Sequence, residues 1–149
     1  MATRIRAATA ADLDALCGLL RLLFTLEADF RPDEARQRAG LRLLLADPAR
    51  CAVLVAERAG AVTGLVTAQL VVSTAEGAPS AWLEDVVVLP DERGRGTGRA
   101  LVEAAAAWAR ERGATRLQLL VDEENAPALG FYRRLGWAPT QLRALRSRP

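Results

Sequence analysis

The chain contains no histidine and no lysine; its 20 basic residues are all arginine. Without histidine, a histidine general base, a Cys/His nucleophile pair and most zinc sites are excluded. No metal site is expected. Without lysine, a phosphate loop of the Gly-Lys-Ser/Thr kind is excluded as well. The two cysteines, Cys17 and Cys51, lack CxxC spacing and sit among apolar neighbours. They read as buried thiols of a reducing compartment. Aromatic residues make up only 5%, net charge is +2 and the arginines are spread along the chain, so no nucleic-acid surface is indicated. No apolar stretch approaches the ~20 residues that span a bilayer. The segment Met1-Ala2-Thr3-Arg4-Ile5-Arg6 lacks the apolar core of a secretory signal. A cytoplasmic protein with no membrane association is expected.

What is present suits a globular enzyme. With 149 residues, 51% of them hydrophobic and 26% charged, the chain is expected to form a single domain over 1–149. Arginine in place of lysine, with many alanines, matches the coding habit of a GC-rich bacterial genome. A strand is expected at 4–8. Thr9 and Asp12 then form a helix start, and Leu13, Leu16, Leu20 and Leu23 recur at helical spacing to about Leu26. Residues 27–32 break that helix, and a second follows at 33–46. Strands at 51–57 and 62–72 flank an Ala59-Gly60 turn. A polar loop at 73–79 leads to a strand at 81–88. A helix at 98–112, a strand at 116–121, a short helix and a last strand at 137–145 complete the order, with a frayed tail.

The richest stretch is Val86-Val87-Val88-Leu89-Pro90-Asp91-Glu92-Arg93-Gly94-Arg95-Gly96-Thr97-Gly98-Arg99. A β-branched run stops at proline, passes a glycine-rich turn and enters an amphipathic helix. Glycines let backbone approach a ligand closely, and free N–H groups at a helix start favour anions. Arg93, Arg95 and Arg99 add positive charge. A diphosphate is the natural occupant. The spacing departs from the dinucleotide fingerprint, since residue 99 is arginine where a third glycine is needed.

Arg93-Gly94-Arg95-Gly96-Thr97-Gly98 instead resembles the Arg/Gln-x-x-Gly-x-Gly/Ala signature of the GNAT acetyltransferase superfamily. Asn125-Ala126-Pro127-Ala128-Leu129-Gly130-Phe131-Tyr132-Arg133-Arg134-Leu135-Gly136-Trp137 resembles the family's second motif, an Asn followed by Phe-Tyr-x-x-x-Gly-Phe/Trp. Local physics agrees: Asn125 suits a helix cap, Pro127 the first turn and Gly136 the left-handed position after the last turn. The resemblance implies an α/β GNAT fold, a mixed and strongly twisted sheet of about six to seven strands with helices on both faces. It implies acetyl-CoA as cosubstrate, its diphosphate held by the backbone of residues 94–99. The pantetheine arm would pair with Val86 and Val88, and an N–H near Val87 or Val88 would polarise the acetyl carbonyl. Asn125 would bond the arm. Tyr132 would protonate the leaving thiolate.

The acceptor amine must lose a proton. Strand alternation places Glu84 with Trp82, Val86 and Val88, and Asp85 with Leu83 and Val87. The resemblance favours Glu84 as base; a carboxylate that only binds substrate is the other reading. Phe24, Glu27, Asp29 and Phe30, together with Glu84, make an acidic, aromatic group suited to a small cationic amine, and the 73–79 loop would frame the cleft. The expected activity is transfer from acetyl-CoA to a small-molecule amine by direct attack in a ternary complex. Protein or peptide N-acetylation, or a non-catalytic acyl-CoA sensor, are the alternatives. The reading leaves room for a homodimer.

Overall fold

A computed structural model of the chain describes residues 1–27 and 29–149. Ala28, inside the break expected at 27–32, lies outside the described residues. The chain forms two compact units, Met1–Leu119 and Leu120–Pro149.

The first unit is built on a five-stranded sheet. Strands β1 (Arg4–Ala7), β2 (Cys51–Arg58), β3 (Ala61–Ser73) and β4 (Ala78–Val88) lie in chain order, each antiparallel to the next. Strand β5 (Arg116–Leu119) joins β4 in parallel, Ser80 opposite Arg116 through Leu83 opposite Leu119. Helices α1 (Leu13–Leu26) and α2 (Glu34–Leu45) cover one face. There Leu16, Leu19, Leu41, Val55, Leu65 and Val87 form the core. Each such side chain contributes roughly 1.5–3 kcal/mol of transfer free energy. Helix α3 (Thr97–Glu111) covers the other face with Leu101, Val102, Ala105 and Ala109.

Short-range chemistry explains the starts and turns. Thr9 N–H donates to the Asp12 carboxylate at 2.8 Å, and the Arg6 guanidinium grips both Asp12 oxygens at 2.9 Å and Glu57 at 2.6 Å. The start of α1 is thereby tied to β1 and β2. Asp33 caps α2, accepting from Arg36 N–H at 3.1 Å. Ala59 (φ 51°) and Gly60 (φ 79°) make the β2–β3 turn left-handed, as a two-residue hairpin needs. Gly64 meets α3 closely: a Cβ there would lie 2.9 Å from Leu101 Cδ1 and 3.2 Å from the Val87 carbonyl oxygen.

Two expectations are corrected. Residues 73–79 are not a long polar loop, because β3 runs to Ser73, β4 starts at Ala78 and only a tight turn separates them. Pro79 stands second in its strand, near the end where proline is tolerated. The last strand expected at 137–145 is absent among the described residues, leaving five strands. Beyond Trp137 every residue is exposed, so no apolar face rewards pairing.

The pairing of β3 with β4 is irregular at one point. Thr67 pairs with Asp85, but Ala68 pairs with Leu83, so Glu84 is an extra residue in a β-bulge. Paired residues share a face and neighbours on a strand do not. Asp85 and Leu83 therefore face opposite sides, and so do Val86 and Trp82. The simple alternation expected for this strand fails at Glu84. Asp85 lies with Thr67, Leu65 and Val87 on the face covered by α1; Leu83 lies with Ala68 on the face covered by α3.

The second unit centres on α4 (Ala126–Arg134). Asn125 caps it, its side-chain oxygen accepting from Ala128 N–H at 3.1 Å. At the far end Trp137 N–H reaches the Tyr132 carbonyl and Gly136 N–H the Arg133 carbonyl, both at 3.0 Å, with Gly136 at φ 89°. This is a Schellman closure, and Trp137 also packs edge-on to the Tyr132 ring at 5.8 Å. Phe131 flanks the same ring at 5.0 Å. The spacing Tyr-x-x-x-Gly-Trp is thus the sequence form of a helix stop that fixes a tyrosine ring.

Candidate functional site

Strand β4 changes character along its length. From Ser80 to Leu83 it has a neighbour on each side; beyond Leu83 no strand among the described residues pairs with its outer edge. Leu89 N–H donates to the Thr63 carbonyl at 2.9 Å, so the backbone of odd-numbered residues here turns toward β3. Val86 and Val88 therefore turn their N–H and C=O groups outward, on the side that β5 has left. Arg93 Nε confirms the direction by donating to the Val88 carbonyl at 3.1 Å. Val86 N–H, Val86 C=O and Val88 N–H remain for an extended ligand. Val87 turns its N–H inward, so of the two expected carbonyl-polarising donors only Val88 is available.

The open edge runs into the glycine turn. Pro90–Glu92 forms one 3-10 turn, and Gly96, at φ 82°, caps α3 without a side-chain bond. A side chain at 96 would strain this left-handed position. Among the described residues, no protein acceptor takes the N–H groups of residues 94–99; the first bond of this segment is Ala100 N–H to the Gly96 carbonyl, at 3.0 Å. Thr97 is buried, and its Oγ1 has no partner. A cavity of about 430 Å³ opens here, bordered by Arg58, Arg95, Gly96 and Thr97. The arginines are less free than their number suggests. Arg99 bonds Glu103 at 2.7 Å, Arg95 lies 3.9 Å from Glu92, and Arg58 bonds Glu92 at 2.9 Å. Backbone N–H groups, more than guanidinium charge, supply the anion-binding character.

The two acidic neighbours on β4 differ sharply. Glu84 is exposed and makes no hydrogen bond or ion pair with a described residue. Asp85 is 9% exposed. Thr67 Oγ1 donates to its Oδ2 at 2.7 Å and accepts from its backbone N–H at 3.1 Å. Burial pushes the Asp85 carboxyl up to about 6; the Thr67 hydroxyl opposes this and the Glu84 charge adds to it. The Thr67–Asp85 pair is not legible in the sequence because the register between β3 and β4 leaves no mark in residue type. The adjacent acids inside an apolar run were the only signal.

At the end of α1, Phe24 packs against the core and its ring meets Phe30 at 5.4 Å. Glu27 lies in the chain between them, half-buried, and Asp29 is exposed. Asn125 spends its side-chain oxygen on its own helix cap, leaving its amide N–H₂ for a ligand. Asn125 and Tyr132 belong to the second unit. No group of three or more acidic, cysteine or histidine side chains that could hold a metal ion occurs among the described residues. No helix among them is long and apolar enough to cross a membrane.

Comparison with known proteins places this geometry. The chain is 52% identical over 64 residues to a streptothricin acetyltransferase of Streptomyces lavendulae, an overlap of 40% of this chain and 34% of that protein. It is 43% identical over 93 residues to a mycothiol acetyltransferase of Thermobispora bispora, 61% of this chain and 30% of that one. The chain thus spans about a third of the length of the curated relatives it matches. A solved putative acetyltransferase from Agrobacterium tumefaciens superposes with TM-score 0.82 at 27% identity, covering 97% of this chain and 99% of the other. The sequence pattern described as "Acetyltransferase (GNAT) family" matches residues 14–137. With both motifs, the sheet order and the open β4 edge in agreement, the chain belongs to the GNAT acetyltransferase family.

Proposed function

We propose that the protein transfers the acetyl group of acetyl-CoA to an amine of a small cationic molecule by direct attack in a ternary complex. One observation carries this reading. The outward backbone of Val86 and Val88 leads straight into an uncapped helix start with unused N–H groups on residues 94–99. An extended amide-bearing arm ending in a diphosphate is complementary to both parts. The unpartnered Thr97 hydroxyl fits the same ligand, since it adds a buried donor at the helix start. Arg93, Arg95 and Arg99 add positive charge around the diphosphate, and the Asn125 amide bonds the arm. Val88 N–H polarises the acetyl carbonyl. The Tyr132 hydroxyl protonates the departing thiolate, with its ring held by Trp137 and Phe131.

The acceptor side rests on Phe24, Phe30, Glu27 and Glu84, whose aromatic faces and negative charge favour a cation. Similarity to a streptothricin acetyltransferase supports streptothricin as first acceptor to try. Use of acetyl-CoA supports the expected cytoplasmic location.

The test is thiol release from acetyl-CoA over a panel holding streptothricin, aminoglycosides and amino acids. Turnover on at least one cationic amine is expected. Tyr132→Phe should keep acetyl-CoA affinity and KM while lowering kcat by ~10² or more, the usual worth of a positioned acid. Tight acetyl-CoA binding with no turnover on any amine would instead make the protein a sensor. Transfer to peptides alone would make it a protein acetyltransferase.

A further inference from the structure

The Thr67–Asp85 pair has no partner in the packing around it. A buried carboxylate is normally kept by a cation or by several donors. Asp85 has one side-chain donor, Thr67, on one oxygen. Its other oxygen, Oδ1, has no protein partner among the described residues. Thr97 Oγ1 is the one fully buried side-chain N or O atom without a partner among them. Oδ1 of Asp85 therefore reaches the surface. This is a carboxylate anchored at one oxygen and open at the other, two residues beyond the last pairing of β4 with β5.

The surroundings are otherwise uncharged. Glu84 is the one charged group acting on Asp85. From β3 comes the neutral Thr67. From α1, over the same face, come Leu16, Leu20 and the Cys17 thiol, which burial keeps protonated; Asp14 of α1 pairs with Arg38, and Arg21 is exposed. On β5, Arg116 bonds Ser80 Oγ. On α3, across the sheet, Arg99 pairs with Glu103, and Arg110 and Glu111 are exposed.

We propose that Asp85, anchored by Thr67, takes the proton from the acceptor amine, while the exposed Glu84 beside it binds the ammonium form. This rests on the acetyltransferase reading above and moves the base expected at Glu84 by one residue. The ammonium gives one N–H proton to Asp85 Oδ1. The freed lone pair forms the C–N bond at the thioester carbonyl, and the C–S bond breaks with its electron pair on sulfur. The Tyr132 hydroxyl protonates that thiolate, the second nitrogen proton restores the phenol, and Asp85 returns its proton to water. A carboxyl held near 6 is ionised at neutral pH yet more basic than an ordinary aspartate, as a general base should be.

The experiment follows thiol release from acetyl-CoA between about pH 5 and about pH 9, with streptothricin and with water alone as nucleophiles. Wild-type kcat/KM should fall about tenfold per pH unit below about 6. Asp85→Asn should bind acetyl-CoA normally by thermal shift, lose ~10² or more in kcat/KM and lose the acidic limb. Glu84→Gln should raise KM for the cationic acceptor and move the limb to lower pH, because a neighbouring charge is gone. Thr67→Val strips the donor from Oδ2 and should move the limb to higher pH; it serves as the test if Asp85→Asn does not fold. A limb that survives Asp85→Asn, stays put in Thr67→Val or vanishes in Glu84→Gln overturns the proposal. Wild-type protein that binds acetyl-CoA but releases no thiol with any amine of the panel overturns the transferase reading and this proposal with it.

Discussion

The two halves of β4 have nearly the same apolar composition and opposite fates. Residues 80–83 are held by β3 on one side and β5 on the other; among the described strands, residues 85–88 are held by β3 alone. The first half spends its backbone polar groups on the fold. The second keeps Val86 and Val88 facing outward, next to a helix start that is equally unspent. Glu84, the bulged residue, stands at the boundary. The backbone pairing is thus divided along one strand, and the division is set by where β5 stops, not by residue type.

Proline substitution breaks the comparison most directly. Ala81→Pro removes a donor from the doubly paired half and should cost about 3 kcal/mol or more, read by denaturant unfolding. Val86→Pro removes a donor that the fold does not use. It should remain folded while acetyl-CoA binding weakens. Equal destabilisation by both would mean that the outer edge is not free.

Asp85→Asn tests the boundary from the side of stability. The carboxyl is raised from 3.8 to about 6 on folding. The folded state therefore holds its proton over a range where the unfolded chain has lost it. Stability should fall as pH rises through that window and stay lower above it, by about 3 kcal/mol at neutral pH. Asparagine keeps the bond from Thr67 and carries no charge. The variant should match wild type near pH 4 and exceed it near neutrality, measured as Tm at both pH values.

Gly96→Val addresses the helix start that the open half feeds. Acetyl-CoA at about 100 times its Kd should stabilise wild type by roughly 2.7 kcal/mol. The variant should lose most of that shift. An undiminished shift would remove the diphosphate from this turn. The smallest effect belongs to Glu84→Gln: with an exposed, unbonded side chain, it should change stability by no more than about 0.5 kcal/mol. A larger loss would show Glu84 to be part of the fold and not of its open edge.

The segments legible in sequence are those whose chemistry is local. The Val86-Val87-Val88-Leu89-Pro90 run, the glycine turn, the Thr9–Asp12 helix start and the Asn125 cap all depend on neighbours within a few residues, and each stands where it was expected. The bulge at Glu84 is a property of register between two strands, so no single strand announces it; strand alternation consequently misplaced Trp82 and Leu83 relative to the residues after them. The strand expected at 137–145 failed for a related reason. A strand needs a partner edge and an apolar face, and residues after Trp137 bury neither. Asp85 was visible as a residue, but its burial, and hence its chemistry, came only from the fold.

Gly64 gives the sheet a bare spot directly beneath Leu101, the fifth residue of α3. A helix seated on bare backbone has no cushion, so its height above the strands is set by hard contact. A methyl group added there would meet the Leu101 side chain at 2.9 Å and the Val87 carbonyl at 3.2 Å, one turn from the helix start. The spacing between the sheet and this helix start therefore depends on the absence of a single side chain at position 64.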